Sequence, residues 1–131
     1  SDINIFAAAV ADYGPSAVAD QKIKKKGDSL DLKLTKNPDI AKSLGEQKRA
    51  DQINIGFALE TNNEEDHAKE KIKNKNFDFI VLNSLKDSGA GFGHDTNKVS
   101  IIDKANDIEH FELKTKAEVA QDIIDYLIEK I

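Results

Sequence analysis

An α/β sandwich with a mainly parallel sheet and an antiparallel hairpin towards the carboxyl end is the fold class the sequence predicts, and three observations carry it. Stretches of strand length alternate along the chain with stretches of helical period. The runs Ile3 to Val10 and Phe77 to Asn83 place apolar residues on both faces, as strands covered by helices on either side do. The stretch INIGFALETNNEEDHAKEKIKNK, residues 53–75, changes period once, from alternation to helical, which reads as strand, turn and helix.

The first strand, INIFAAAV, contains Ala7, Ala8 and Ala9, which leave room for something flat to approach the backbone. Asp12 and Tyr13 follow at its carboxyl end, where a carboxylate binds a metal, a ribose or a neighbouring loop, or simply caps a turn. A loop from Gly14 to Gln21, containing Pro15, leads into Lys22-Ile23-Lys24-Lys25-Lys26. An alternating strand would send Lys22, Lys24 and Lys26 to one face, as a phosphate-rich ligand requires; the alternative is a solvated basic run. Gly27-Asp28 turns the chain, and Leu30, Leu32 and Leu34 then alternate with Asp31 and Lys33 as a hairpin partner with one covered face. In Asn37-Pro38-Asp39-Ile40 a helix begins, with Asn37 as N-cap, Pro38 at the first helical position and Asp39 matching the dipole. Its seam is Ile40, Ala41 and Leu44, Gly45 weakens or ends it, and its start offers unpaired amides to an anion or a base edge.

Within residues 53–75, Ile53, Ile55, Phe57 and Leu59 alternate with smaller or polar partners up to Glu60. Thr61 and Glu64 have the spacing of a capping box, Glu64, Glu65 and Asp66 fill the first turn, and Lys69, Lys71, Lys73 and Lys75 crowd the negative end. Ala68 and Ile72 form the buried seam, and Lys71 and Lys75 project side by side along its edge, one turn apart. Two readings stand here: an ordinary unit with a solvated outer face, or an anionic-ligand site at a strand's carboxyl end lined by Phe57, Lys71 and Lys75.

Phe77 to Asn83 is the second buried strand. The segment GAGFGHDTN, Gly89 to Asn97, is not a dinucleotide loop, because Val99 to Ile102 begins a strand where a helix is required. VSIID and IEHFELK, joined around Asn106-Asp107, form the hairpin. The last segment, Lys116 to Ile131, carries Val119, Ala120, Ile123, Ile124, Leu127 and Ile131 at helical spacing, with Thr115 and Glu118 as its capping box. Loops at the carboxyl ends of Val10, Leu59 and Leu82 then share one rim, which gathers Asp12, the loop before Lys22, Phe57 and the Lys71/Lys75 face.

Composition narrows the function. The 131 residues fit one domain, and 39% hydrophobic with 33% charged residues suits a globular protein. No apolar run reaches membrane-span length, so no membrane partner is expected. Zero cysteines exclude a disulfide scaffold, a thiolate metal site and a thiol nucleophile, and are compatible with a cytoplasmic protein. A net charge of −5 argues against nucleic acid as a partner, whereas the clustered lysines suit a local phosphate site. His67, His94 and His110 show no ligand spacing and read as surface or hairpin residues. The chain holds no methionine and starts directly on a strand, SDINIF, so a piece of a longer polypeptide is expected.

Taken in this order, AAVADY (Ala8 to Tyr13), KIKK (Lys22 to Lys25), KNPDI (Lys36 to Ile40), GFALETN (Gly56 to Asn62), the pair Lys71 and Lys75, and GFGHDTNKV (Gly91 to Val99) resemble the bacterial phosphopantothenate-cysteine ligase, the synthetase part of a bifunctional flavoprotein of coenzyme A biosynthesis. The similarity covers nearly the whole chain. It implies a three-layer Rossmann-like sandwich whose N-terminal part is missing, so that residues 1–131 form a single partial domain. It also implies a ligation in which CTP activates the carboxylate of 4'-phosphopantothenate and cysteine displaces CMP. Position by position, the resemblance assigns nucleotide binding to Asp12, Lys22, Pro38, Asp39, Ile40, Ala41, Phe57, Lys71 and Lys75. It makes Lys22 the group that stabilises transition-state charge and Asp12 a partner of Mg2+. FMN belongs only to the absent decarboxylase half, and the intact parent is expected to be a homodimer. The family's glycine-rich phosphate loop and its asparagine-bearing segment precede AAVADY and are absent, so the chain alone is expected to lack full activity. A non-catalytic nucleotide-binding module and an interaction domain with solubilising lysines are the competing functions.

Overall fold

The computed structural model describes residues 1–24, 27–60, 62–84 and 95–131. In chain order the elements are β1 (Ile3–Phe6), β2 (Tyr13–Pro15), β3 (Leu34–Lys36), α1 (Ile40–Glu46), β4 (Ile53–Glu60), α2 (Glu64–Lys75), β5 (Phe79–Ser84), β6 (Thr96–Asn97), β7 (Val99–Asp103), β8 (Ile108–His110), β9 (Lys114–Thr115) and α3 (Lys116–Glu129). They fall into two compact units, one of Ser1–Ala7 with Ala41–Ile131 and the other of Ala8–Ile40.

The larger unit is built on a five-stranded sheet of order β1-β4-β5-β7-β8. β1, β4 and β5 run parallel, with Ile3 opposite Ile53 and Ile55 opposite Phe79, and β7 and β8 add an antiparallel hairpin, with Phe79 opposite Asp103 and Ser100 opposite His110. Period-two alternation along β5 feeds two cores. Phe79 and Val81, with Ile55, Val99 and Ile101, pack on Val119, Ile123, Tyr126 and Leu127 of α3. Ile80 and Leu82, with Ala58 and Ile102, pack on Ala68 and Ile72 of α2 and on Phe77. Helices therefore cover opposite faces, giving the mixed α/β sandwich that the patterning predicts, in the three layers that the resemblance implies. Phe79 meets Tyr126 edge to face at 5.1 Å between ring centroids.

Two glycines set the packing. A Cβ on Gly56 would lie 2.3 Å from the Phe77 ring, and one on Gly45 only 2.0 Å from the Lys75 carbonyl oxygen. Gly45 thus lies in the last turn of α1, which ends one residue later at Glu46, close to where the sequence places the end, and it is buried at the contact with the end of α2. The expected α1 seam shrinks accordingly: Ala41 packs against the α2-side core, while Ile40 and Leu44 stay exposed.

Other expectations shift for identifiable reasons. β1 spans Ile3–Phe6 and pairs only with β4 among the described strands, so Ile3 and Ile5 remain part exposed instead of buried. α2 starts at Glu64 behind Asn63, which takes left-handed φ of 46° and makes no side-chain cap; Thr61, the expected cap, lies outside the described residues. Left-handed Asn76, φ 53°, closes the helix through its N–H to the Ile72 carbonyl. At α3 the capping box is complete: Glu118 N–H donates to Thr115 Oγ1 and the Glu118 carboxylate accepts from Thr115 N–H. The buried α3 seam includes Tyr126, while Ile124 and Ile131 are exposed. The hairpin turn is held by Asp103, whose Oδ1 accepts the Ala105 and Asp107 amides around Asn106 at φ 69°. Most of the GAGFGHDTN segment, residues 89–94, lies outside the described residues; its last two, Thr96 and Asn97, form β6, and the strand β7 follows, not a helix.

In the smaller unit, β2 and β3 pair antiparallel, Tyr13 opposite Lys36 and Pro15 opposite Leu34. Asn37 N–H donates to the Asp12 carbonyl at 2.8 Å and Asn37 Nδ2 to the Ala11 carbonyl at 2.8 Å. These bonds commit the Leu34 strand to Tyr13–Pro15, so among the described residues it does not pair with Lys22 to Lys24. Lys22 to Lys24 have no regular structure, Lys25 and Lys26 are outside the described residues, and Leu30, Leu32 and Leu34 are exposed instead of covering one face.

Candidate functional site

Three parallel strands deliver their carboxyl ends to one rim of the larger unit, at Phe6, Glu60 and Ser84. Open α/β sheets bind ligands at such rims. Because β4 and β5 are parallel, α2 must run back along the sheet, and its early turns stand beside the end of β4. Glu60 faces the same side as Ala58, towards α2. Its Oε1 accepts from Lys71 Nζ at 2.6 Å, and its Oε2 lies 3.3 Å from His67 Nδ1.

The Glu60 side chain is only 16% exposed against 40% for Lys71. Burial on its own would raise the Glu60 carboxyl, but the hydrogen bond and charge of Lys71, with His67 behind them, outweigh it and hold the group below the usual carboxylate range. The trio is thus an anchored ammonium whose remaining N–H donors are not used by Glu60, a geometry suited to phosphate oxygens.

Of the residues singled out in sequence, the larger unit holds Ala41, Phe57, Lys71 and Lys75. Phe57 shares the face of Ile55, opposite α2, and is 41% exposed near the strand's end. Lys71 and Phe57 therefore flank the end of β4 from its two sides. Lys75 is half-buried in the last turn of α2, with its carbonyl against Gly45. The smaller unit holds Asp12, Lys22, Pro38, Asp39 and Ile40. Asn37 ties the backbone of Ala11 and Asp12 to the Pro38–Ile40 segment, so these two motifs, distant in sequence, form one cluster. That role takes Asn37 from capping, and α1 starts at Ile40, which leaves Pro38 and Asp39 ahead of the helix. Lys22 is exposed outside regular structure.

Glu60 and His67 were not foreseen as site residues. A signal existed: His67 and Lys71 are four apart on one helix face, following a strand that ends on a carboxylate. As for a metal, Asp12 is exposed beside the anchored turn, and a single carboxylate suits Mg2+, which nucleotide phosphates and water mostly coordinate. No group of three metal-ligating side chains occurs among the described residues.

Over residues 1–131 the chain matches the family described as DNA/pantothenate metabolism flavoprotein C-terminal domain. It is 56% identical over 94% of its length to a cysteine/cysteine sulfinic acid decarboxylase from an unknown prokaryotic organism, covering 34% of that protein. It is 42% identical over 99% of its length to the coenzyme A biosynthesis bifunctional protein CoaBC of Haemophilus influenzae, covering 32% of it, and 44% identical over 95% to that of Bacillus subtilis, covering 30%. The chain thus spans about a third of the length of these curated relatives. The crystal structure of the C-terminal domain of a CoaBC superposes with a TM-score of 0.72 at 38% identity, covering 99% of this chain and 58% of that one. A DNA/pantothenate metabolism flavoprotein from Streptococcus pneumoniae shares the fold with a TM-score of 0.74 at 21% identity, over 99% of this chain and 64% of that one.

Proposed function

Since the chain belongs to the family of DNA/pantothenate metabolism flavoprotein C-terminal domains, we propose that it supplies nucleotide-handling residues to a CTP-dependent phosphopantothenate-cysteine ligase of coenzyme A biosynthesis. The observation that carries this reading is the identity to CoaBC over almost the whole chain. The Lys71 ammonium, fixed at the carboxyl rim, adds physical support.

In this reading the 4'-phosphopantothenate carboxylate attacks the α-phosphorus of CTP, and pyrophosphate departs. The cysteine amine then attacks the acyl carbon of the acyl-cytidylate, loses a proton and displaces CMP, giving 4'-phospho-N-pantothenoylcysteine. Charge grows on the attacked phosphorus and the leaving pyrophosphate, so an ammonium fixed against the attacked phosphorus lowers the barrier more than it tightens ground-state binding, while one that already meets the phosphates of the bound nucleotide tightens ground-state binding as well. Lys22 is assigned to the transition-state charge, Lys71 and Lys75 to the phosphates, and Phe57 with the Pro38–Ala41 segment to the base. Asp12 is assigned to Mg2+, which shares the triphosphate charge. The protein is proposed to act as a cytoplasmic homodimer, and the 131-residue chain alone to turn over no substrate.

The test is pyrophosphate release by the complete gene product. Release should require CTP, 4'-phosphopantothenate and magnesium together, and Lys22→Ala should abolish it while the circular dichroism spectrum is kept. Full turnover by that variant refutes the role of Lys22. The 56% identity to a cysteine/cysteine sulfinic acid decarboxylase favours one second reading: carbon dioxide release from cysteine or its sulfinate, with no response to CTP, would replace the ligase assignment.

A further inference from the structure

We infer that Glu60 is a positioning residue that sets the Lys71 ammonium for the nucleotide's phosphates, with His67 holding the carboxylate from its other side; this rests on the CTP reading above. Three facts separate the arrangement from an ordinary surface ion pair. The carboxylate is 16% exposed, so it has lost most of its water, and each oxygen has its own partner, Lys71 at 2.6 Å and His67 at 3.3 Å. The two partners stand one turn apart on α2, flanking the register of Ala68, which is fully buried, so the helix face that carries them cannot roll. The carboxylate comes from the last residue of β4 and not from α2 itself, so the pair ties the helix to the strand end where a ligand would sit.

An exposed i,i+4 carboxylate would support the helix equally well; a buried one on the strand fixes where the ammonium is. Lysine has a long, flexible stem, and an unanchored ammonium spends most of its time away from any one phosphate. Glu60 engages one N–H of Lys71 and leaves the others to donate to phosphate oxygens. When phosphate draws on the ammonium, His67 keeps the carboxylate partnered, so its desolvation is not left uncompensated.

The experiment is a double-substitution cycle in the complete gene product, reading KM for CTP against kcat. Glu60→Gln should raise KM for CTP about tenfold, as expected for a charge-assisted bond. Lys71→Ala should raise it at least as much, and the double variant no more than Lys71→Ala alone, because the carboxylate acts only through the lysine. Glu60→Asp should recover part of the loss. If Glu60→Gln does not fold, His67→Gln takes its place in the cycle and must show the same dependence on Lys71. Additive effects, or an unchanged KM in a folded Glu60 or His67 variant, overturn the inference while the ligase reading stands. A wild-type protein that shows no response to CTP overturns both.

Discussion

Asp78 offers the sharpest test of how the underside of the sheet is held. It precedes β5, with Oδ2 accepting from Lys48 Nζ at 2.5 Å and from Asn54 N–H at 2.8 Å, and Oδ1 accepting from Lys104 Nζ at 3.1 Å. The Lys48 side chain is 9% exposed and Asp78 16%, so Asp78→Asn keeps an acceptor for the Asn54 amide but strands a buried ammonium. Removing one member of a buried pair costs about 3–5 kcal/mol, and the partial exposure of Asp78 places this case near the lower end. Lys104, 72% exposed, adds no more than about 0.5 kcal/mol. A loss of about 3 kcal/mol should lower the melting temperature by about 10 °C for a domain of this size. Burial tends to raise the Asp78 carboxyl, but Lys48, the Asn54 amide and Lys104 outweigh it and hold it below the usual range. Its contribution is therefore complete above the unfolded carboxyl pKa of about 3.9 and is lost as pH falls through the lower folded value. Urea unfolding of both proteins from pH 7 to pH 2 should show a gap that is constant near neutrality and closes in acid. A gap under about 1 kcal/mol at pH 7, or one that persists in acid, refutes the account of Asp78 as an ionised, paired anchor.

Gly45→Ala pushes a Cβ to 2.0 Å from the Lys75 carbonyl, and backbone cannot yield as a side-chain tip does; overpacking of about 2–3 kcal/mol should show as a lower denaturant midpoint. Phe57→Ala should lower the melting temperature by only a few degrees, less than a fully buried Phe would, because the residue is 41% exposed. Loss of base stacking in that variant should weaken CTP binding in calorimetry by about tenfold, and equal affinity would remove Phe57 from the site. Thr115→Ala deletes the Oγ1 acceptor of the Glu118 amide and should destabilise by about 1 kcal/mol, with faster amide exchange confined to the first turn of α3.

Much of the frame is legible in the residues because periodicity reports burial directly. β5, α2 and α3 lie where the apolar spacing puts them, and the Thr115–Glu118 cap and the Asn106 turn are local chemistry whose partners are a few residues apart. The smaller unit departs from its local pattern for the opposite reason. Leu30, Leu32 and Leu34 alternate as a strand does, yet only Leu34 enters one, which Asn37 at its end ties to Ala11 and Asp12 just ahead of β2. An asparagine with good capping chemistry had two uses, and only the chain brought near it selected between them.

The sequence by itself determined the sandwich, its mixed sheet and the family to which the chain belongs, since alternation, helical period and ordered motifs are properties of residues close along the backbone. The folded chain alone decided which carboxylate holds Lys71, why Gly45 sits inside a helix, and that Phe57 and Lys71 flank β4 from opposite faces. These depend on which elements meet and at what separation, and that is fixed by packing between residues far apart in sequence.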